Sequence, residues 1–211
     1  MNIGIIGSGM VGQALATKLA SLGHSVMIGT RDSSKLAEWL GQAEHPIAVG
    51  SFAETAAHGE LVLNATAGGA SLAALELAGV ENLRGKILID IANPLDFSQG
   101  MPPSLTIANT DSLGEQIQRA FPEVKVVKTL NTLAAPLMVN PGQLADGDHH
   151  IFVSGNDAEA KAQVSAFLKA EFGWKNIIDL GDISTARGTE MLLPVWVRLW
   201  GALGTPMFNF K

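Results

Sequence analysis

Near the start of the chain, Gly7-Ser8-Gly9-Met10-Val11-Gly12 places three glycines at the spacing G-x-G-x-x-G. An apolar run, Asn2–Ile6, ends just before them, and apolar residues at Val11, Ala14, Leu15, Leu19 and Leu22 follow. The run reads as a strand and the later spacing as a helix over Val11–Leu22, so the glycines occupy a strand-turn-helix unit. In that setting Gly7 permits the tight turn, Gly9 lets a pyrophosphate approach the backbone, and Gly12 lets helix and strand pack closely. The helix N-terminus adds unpaired N–H groups and a positive dipole end. Gly7, Ser8, Gly9, Met10, Val11 and Gly12 are therefore the expected phosphate cradle of a dinucleotide.

The end of the second strand, Ser25–Gly29, bears on which dinucleotide. A free ribose 2′-hydroxyl is usually held by an Asp or Glu about 20 residues beyond the glycines. Counting from Gly12 reaches Asp32, which would suggest NAD. The strand itself, Val26-Met27-Ile28, instead leaves Gly29 or Thr30 at the ribose-facing end, with Arg31 next. A Thr hydroxyl and an Arg fork bind a 2′-phosphate, whereas a carboxylate would repel it. Asp32, beside Ser33 and Ser34, has a sufficient role as a helix cap. The expected cofactor is NADP(H), with Thr30 and Arg31 as ligands and Lys35 as a second positive charge.

Three further apolar strands end in small polar residues: Asn64-Ala65-Thr66, Ala92-Asn93-Pro94 and Thr129-Leu130-Asn131-Thr132. In an open parallel sheet the ligand lies outside the carboxyl ends of the strands. Ala65, Thr66, Asn93, Pro94, Asn131 and Thr132 should therefore continue the groove from Arg31 towards the nicotinamide. No Ser-His-Asp or Lys-Tyr-Ser arrangement is visible, and no His ends a strand. Hydride transfer between two rings needs mainly alignment, while alcohol dehydrogenation usually wants a base. His149-His150, near Asp146 and Asp148, would point to opposite faces of a strand, which argues against a metal site. His45 and His58 fall in loop-like, exposed settings.

The elements that position these residues alternate as strand and helix. A helix capped by Asp32 or Ser33 runs to about Leu40. It is followed by a weak strand at Ile47–Val49, a short helix Ser51–Ala57, strands Glu60–Asn64 and Lys86–Asp90, and a helix near Ala70–Leu77 between those two. Ser112-Leu113-Gly114-Glu115 reads as a capping box opening a helix to Phe121, before a sixth strand at Val124–Lys128. A loop, Ala134–Gly147, precedes strand His150–Ser154, helix Asp157–Phe172 ended by Gly173, strand Asn176–Leu180 and a mostly helical tail Ile183–Leu203. The fold class expected is α/β: a Rossmann-type, doubly wound, mainly parallel sheet with a short helical C-terminal extension. Residues 1–211 are read as a single NADP-binding domain, including the extension from about residue 148.

Composition narrows the partners. The chain has 211 residues, 47% of them apolar and 16% charged, and a net charge of −6, enough for a core on both faces of a sheet. No basic run suggests nucleic acid or an anionic membrane surface. The absence of cysteine excludes a dithiol centre and fits a cytoplasmic protein. Met1–Ile6 reads as a strand, not as a signal peptide. Met191–Phe210 is apolar, but Pro194 and Arg198 interrupt it, so it reads as core or interface and no membrane is expected.

Taken together, four segments resemble the coenzyme F420-dependent NADP reductase family. They are Gly7-Ser8-Gly9-Met10-Val11-Gly12, Ile28-Gly29-Thr30-Arg31-Asp32, Ala92-Asn93-Pro94-Leu95 and Val127-Lys128-Thr129-Leu130-Asn131-Thr132. Val153-Ser154-Gly155-Asn156-Asp157-Ala158 and the short C-terminal tail extend the resemblance over most of the chain. It implies a Rossmann domain, NADP held by the glycine loop and the Thr-Arg pair, and hydride transfer between NADPH and the deazaflavin F420 or a flavin-like second substrate. It also implies a homodimer acting on a small-molecule redox acceptor. Trp196, Trp200, Met207 and Phe208 are bulkier than a deazaflavin pocket would suggest, and core is their expected role. Two other functions stay open: a dehydrogenase of a small organic substrate, which usually carries a larger helical C-terminal domain, and a non-catalytic NADPH-sensing protein.

Overall fold

The computed structural model describes all residues, 1–211. An eight-stranded sheet has the order β10-β9-β8-β5-β4-β1-β2-β3. Its first five strands are β1 (Asn2–Ile6), β2 (Ser25–Gly29), β3 (Ala48–Gly50), β4 (Leu61–Asn64) and β5 (Ile87–Asp90). The remaining three are β8 (Lys125–Thr129), β9 (His150–Ser154) and β10 (Asn176–Gly181). From β3 to β8 every pairing is parallel and the order is that of a doubly wound dinucleotide fold. The chain reverses direction across the sheet between β1 and β4, which places the glycine loop and Thr66 at the same switch point. β9 then joins β8 antiparallel, and β10 joins β9 in parallel.

Strand alternation sorts the core into two layers. Ile3, Ile5, Leu63, Ile89 and Val127 pack on one face with Leu15 and Leu19 of α1 (Met10–Ser21). Ile6, Val62, Leu88 and Val126 pack on the other. There they meet Phe52 of α3 (Phe52–His58), Leu75 of α4 (Ser71–Ala78) and Ile117 of α6 (Leu113–Ala120). Each fully buried Leu or Ile contributes roughly 1.5–3 kcal/mol, so the two faces, and not surface pairs, hold the sheet together beneath its rim. The lesser helices are α2 (Ala37–Gly41), α5 (Val80–Leu83) and α7 (Ala135–Val139). The C-terminal half adds α8 (Ala158–Phe167), α9 (Ala186–Met191) and α10 (Leu193–Leu203).

Several local expectations are corrected. The Ala134–Gly147 segment is not an open loop: it holds α7, opened by Pro136 in its first turn, and two 3₁₀ turns. A small antiparallel hairpin, β6 (Leu95–Asp96) and β7 (Ser104–Leu105), follows Pro94, in a stretch to which the sequence pattern assigns no element. The helix expected to reach Phe172 passes into a π turn at Leu168–Phe172 before Gly173 stops it with φ +81°. The tail breaks after Met191, because Pro194 opens a new helix. No helix is long and apolar enough to cross a membrane. Half of the expected capping box at Ser112 forms: the Ser112 hydroxyl accepts from the Glu115 N–H (3.1 Å), but the Glu115 carboxylate pairs with Arg187. A full box forms instead at Ser51 and Glu54, opening α3.

Candidate functional site

The glycine loop has the geometry its residue types require. Gly7 has φ +113°, and a Cβ there would lie 2.6 Å from the Ala65 carbonyl oxygen. A Cβ at Gly12 would lie 2.0 Å from the Gly7 carbonyl oxygen, so helix α1 can pack onto its own turn only through glycine. A Cβ at Gly9 would meet nothing within 4 Å, which leaves open space above the backbone there. No side chain caps α1 and no acid stands in its first turn. Its first N–H groups are therefore unclaimed by the protein, the arrangement a pyrophosphate needs. Gln13 steadies the loop by donating to the Ser8 carbonyl at 2.9 Å.

A groove of about 280 Å³ runs from this loop to the end of β2. Gly7, Ser8, Gly9, Thr30, Arg31, Lys35, Ala65 and Thr66 all line it. The Ser8 hydroxyl donates to the Thr30 hydroxyl (3.0 Å), linking the glycine loop to the β2 end. Arg31 and Lys35 are exposed, and neither enters any ion pair of the chain. Asp32 is engaged as a cap: its carboxylate accepts the Ser34 hydroxyl (2.6 Å) and N–H (3.1 Å). Those hydrogen bonds, with the Lys35 charge, hold its carboxyl below the usual carboxylate range. Asp32 is thus spent on the first 3₁₀ turn, while two cations beside it have no partner.

Ala65, Thr66 and Ala67 also line a second cavity of about 220 Å³, so the two hollows lie side by side along the rim. The second is lined also by Val11, Gly68, Ile91, Ala92, Asn93, Leu95 and Phe97. Its lining contains no titratable side chain. A Cβ at Gly68 would lie 2.0 Å from the Asn93 carbonyl oxygen, so this wall is as closely fitted as the glycine loop. Asn131 is 3% exposed and lines neither hollow, but its side chain is reciprocally paired with Asn93. Asn93 Nδ2 donates to the Asn131 carbonyl (2.8 Å), and Asn131 Nδ2 donates to Asn93 Oδ1 (2.9 Å). Thr132 and Pro94 are buried behind the same rim, Gly12 is buried beneath the loop, and Met10 projects outward.

Beneath this rim lies a charged cluster that the sequence reading passed over. At the carboxyl ends of three neighbouring strands, Asn64 stands in register beside Asp90 and Asp90 beside Lys128, the last residue but one of β8. Lys128 Nζ donates to Asp90 Oδ2 (2.9 Å), to Glu190 Oε1 (2.8 Å) and to the Ala92 carbonyl. Asp90 Oδ1 accepts from Asn64 Nδ2 (2.8 Å) and from the Ala92 N–H (3.2 Å). Asn64 Oδ1 accepts the Thr66 hydroxyl at 2.7 Å. The Glu190 carboxylate, on α9, also accepts the Leu113 and Gly114 N–H groups at the start of α6. Burial alone would lower the Lys128 pKa, but the charges of Asp90 and Glu190 outweigh it and raise it. A Lys closing an otherwise apolar strand, Val126-Val127-Lys128, was the available signal, because a buried lysine requires partners. Glu190, inside a helical tail, offered none.

His45 is exposed, as expected, but two other histidines differ from the reading. His149 lies before β9, is 2% exposed, and contacts the Pro141 carbonyl at 2.9 Å and Asn209 at 2.8 Å. His58 is half-buried against the Ser25 carbonyl (3.0 Å), not exposed. Trp196 is buried against Phe208, as expected of core, whereas Trp200 is 42% exposed.

A doubly wound sheet with a phosphate-ready glycine loop at its switch point defines the chain as a dinucleotide-binding protein of the Rossmann class. Comparison with known proteins narrows this. The family described as NADP oxidoreductase, coenzyme F420-dependent, matches residues 2–94. A crystal structure from Arthrobacter sp. FB24 is 62% identical, covers 100% of this chain and 98% of its own, and superposes with a TM-score of 0.96. Its own assignment as an F420-dependent NADP reductase is provisional. The F420-dependent NADP reductase of Methanothermobacter thermautotrophicus is 26% identical over 94% of this chain and 89% of its own length. Metalloreductase STEAP3 of Rattus norvegicus is 30% identical over 92% of this chain, but the chain spans only 37% of that relative. The chain belongs to the F420-dependent NADP oxidoreductase family.

Proposed function

We propose that residues 1–211 act as one NADP(H)-binding unit that exchanges hydride with F420 or a flavin-like acceptor. One observation carries the cofactor half of this reading: Arg31 and Lys35 are unpaired at the end of β2 while Asp32 is turned into a cap. In this reading Arg31, Lys35 and Thr30 hold the 2′-phosphate, and Gly7–Gly12 with Ser8, Met10 and Val11 hold the pyrophosphate. Ala65 and Thr66 carry the chain of the cofactor across the switch point. Asn93 and Pro94, backed by Asn131 and Thr132, frame the nicotinamide end. When bound, the dihydronicotinamide supplies a hydride, two electrons with one proton, to an acceptor ring.

The second cavity supports a ring as acceptor. Its walls are apolar apart from Thr66, Asn93 and backbone, and none of its side chains can act as an acid or base near neutral pH. Such a lining can exclude water and align two rings at about 3–3.5 Å, and it offers no base for an alcohol. The likeness to a metalloreductase adds flavins and ferric chelates to the acceptors worth testing. A homodimer in the cytoplasm completes the proposal. Met191, Val195, Leu199 and Leu203 form an exposed apolar row on α9 and α10, available as its seam.

The test is NADPH oxidation by the purified protein with F420, FMN and a ferric chelate as acceptors, beside light scattering for the mass in solution. F420 turnover supports the reading. Turnover only with FMN or the chelate moves the acceptor, and NADPH binding without turnover on any of them contradicts the reductase.

A further inference from the structure

The buried rung Asn64–Asp90–Lys128 has no part in the roles just given, yet it ends on the wall of the second cavity. Ala92 forms part of that wall, and both of its backbone polar groups are held by the rung. Asp90 takes its N–H and Lys128 holds its carbonyl. Asn93, next in the chain, is then fixed by Asn131 from one side and lies against Gly68 on the other. Lys128 has three N–H donors, and its third partner is Glu190, the only one from outside the sheet rim. Glu190 is 1% exposed and is itself anchored to the N–H groups of Leu113 and Gly114. A fully buried ammonium cannot trade a lost partner for water, so a change at Glu190 must be absorbed by its bonds to Asp90 and Ala92.

We propose that Glu190 is a positioning residue: acting through Lys128, it sets the Ala92–Asn93 wall and so couples the C-terminal helices to the nicotinamide end of the groove. This rests on the dinucleotide reading above. Glu190 touches neither hollow of the groove, and the rung meets the Arg31 end only at Thr66, through Asn64, so its influence should fall mainly on the end that the rung supports. The Arg31 end is built from the glycine loop and β2, which share no hydrogen bond with Lys128 or Glu190. The effect should therefore separate the two ends of one ligand.

Two ligands make the test: NADPH, which spans the groove, and adenosine 2′,5′-bisphosphate, which occupies only the Arg31 end. Glu190→Gln keeps the shape but removes the charge. It is expected to weaken NADPH about tenfold, the scale of a lost charge-assisted hydrogen bond, and to alter the emission of bound NADPH. Binding of the bisphosphate should stay as in the wild type. Equal weakening of both ligands, or no change in either, overturns the proposal, because a purely structural role would not distinguish the ends. If Glu190→Gln does not fold, Glu190→Asp carries the same test, with the charge kept but drawn back by one methylene. It must show the same split, smaller in size, and equal losses or none overturn the proposal. A wild-type chain that binds neither ligand would overturn the dinucleotide reading and this inference together.

Discussion

The two ends of the groove solve the problem of polar groups in opposite ways. At the Arg31 end the charges are exposed and unpaired, and the protein leaves the α1 N–H groups and two cations for a ligand to satisfy. At the Asn93 end the charges are buried and fully engaged with one another, and the cavity surface is left apolar. Solvent compensates the first arrangement until a phosphate replaces it. No solvent reaches the second, so each partner must be supplied by the fold. The difference suits a site that grips a charged tail at one end and aligns a neutral ring at the other.

Breaking the buried end should cost most. Lys128→Met leaves the Asp90 and Glu190 carboxylates buried without a cation, and stability should fall by about 3–5 kcal/mol. Urea unfolding reads this as a lower midpoint with an unchanged slope. Gly68→Ala attacks the same end by packing. Its Cβ would press on the Asn93 and Pro94 backbone, which cannot swing away as a side chain could. A loss of about 1–3 kcal/mol is expected, with NADPH weakened and adenosine 2′,5′-bisphosphate unaffected.

Changes at the open end should be milder for the fold. Asp32→Ala removes the cap on Ser34 and should lower the thermal midpoint slightly. NADH affinity should not fall, because Asp32 is a cap and not a ribose ligand; a clear loss of NADH binding would reverse that assignment. The smallest effect is expected at the surface of α6. Arg119 holds the Asp111 carboxyl down to about 2 from 3.8, chiefly through its hydrogen bond. A depressed carboxyl stabilises the fold above its unfolded value, and that contribution is lost as pH falls from about 4 through about 2. Both side chains are partly exposed, so the contribution is small. An NMR titration of Arg119→Ala should show the Asp111 value returning towards 3.8.

The open end is the one that the sequence displays. Gly7, Gly9 and Gly12 act through backbone geometry within one strand-turn-helix unit, so their meaning is local and spacing reveals it. Arg31 is legible for the same reason, as it follows directly on β2. The buried end depends on residues 64, 90, 128 and 190, which only the sheet order and the C-terminal helices bring together. Asp90 and Lys128 look like ordinary polar strand ends until the register sets them side by side. The hairpin after Pro94 was hidden because its strands are two residues each, too short for any alternation to show. The antiparallel entry of β9 left no trace either, since a buried strand reads the same in both directions.

The central claim is that Arg31 holds a 2′-phosphate, and calorimetric titration of NADPH and NADH into the wild type and Arg31→Ala tests it most directly. NADPH should bind the wild type more tightly by about ten- to a hundredfold, the worth of a charge-assisted hydrogen bond, and the gap should close in the variant with NADH unchanged. Equal affinities in the wild type, or a preference that survives Arg31→Ala, would contradict it.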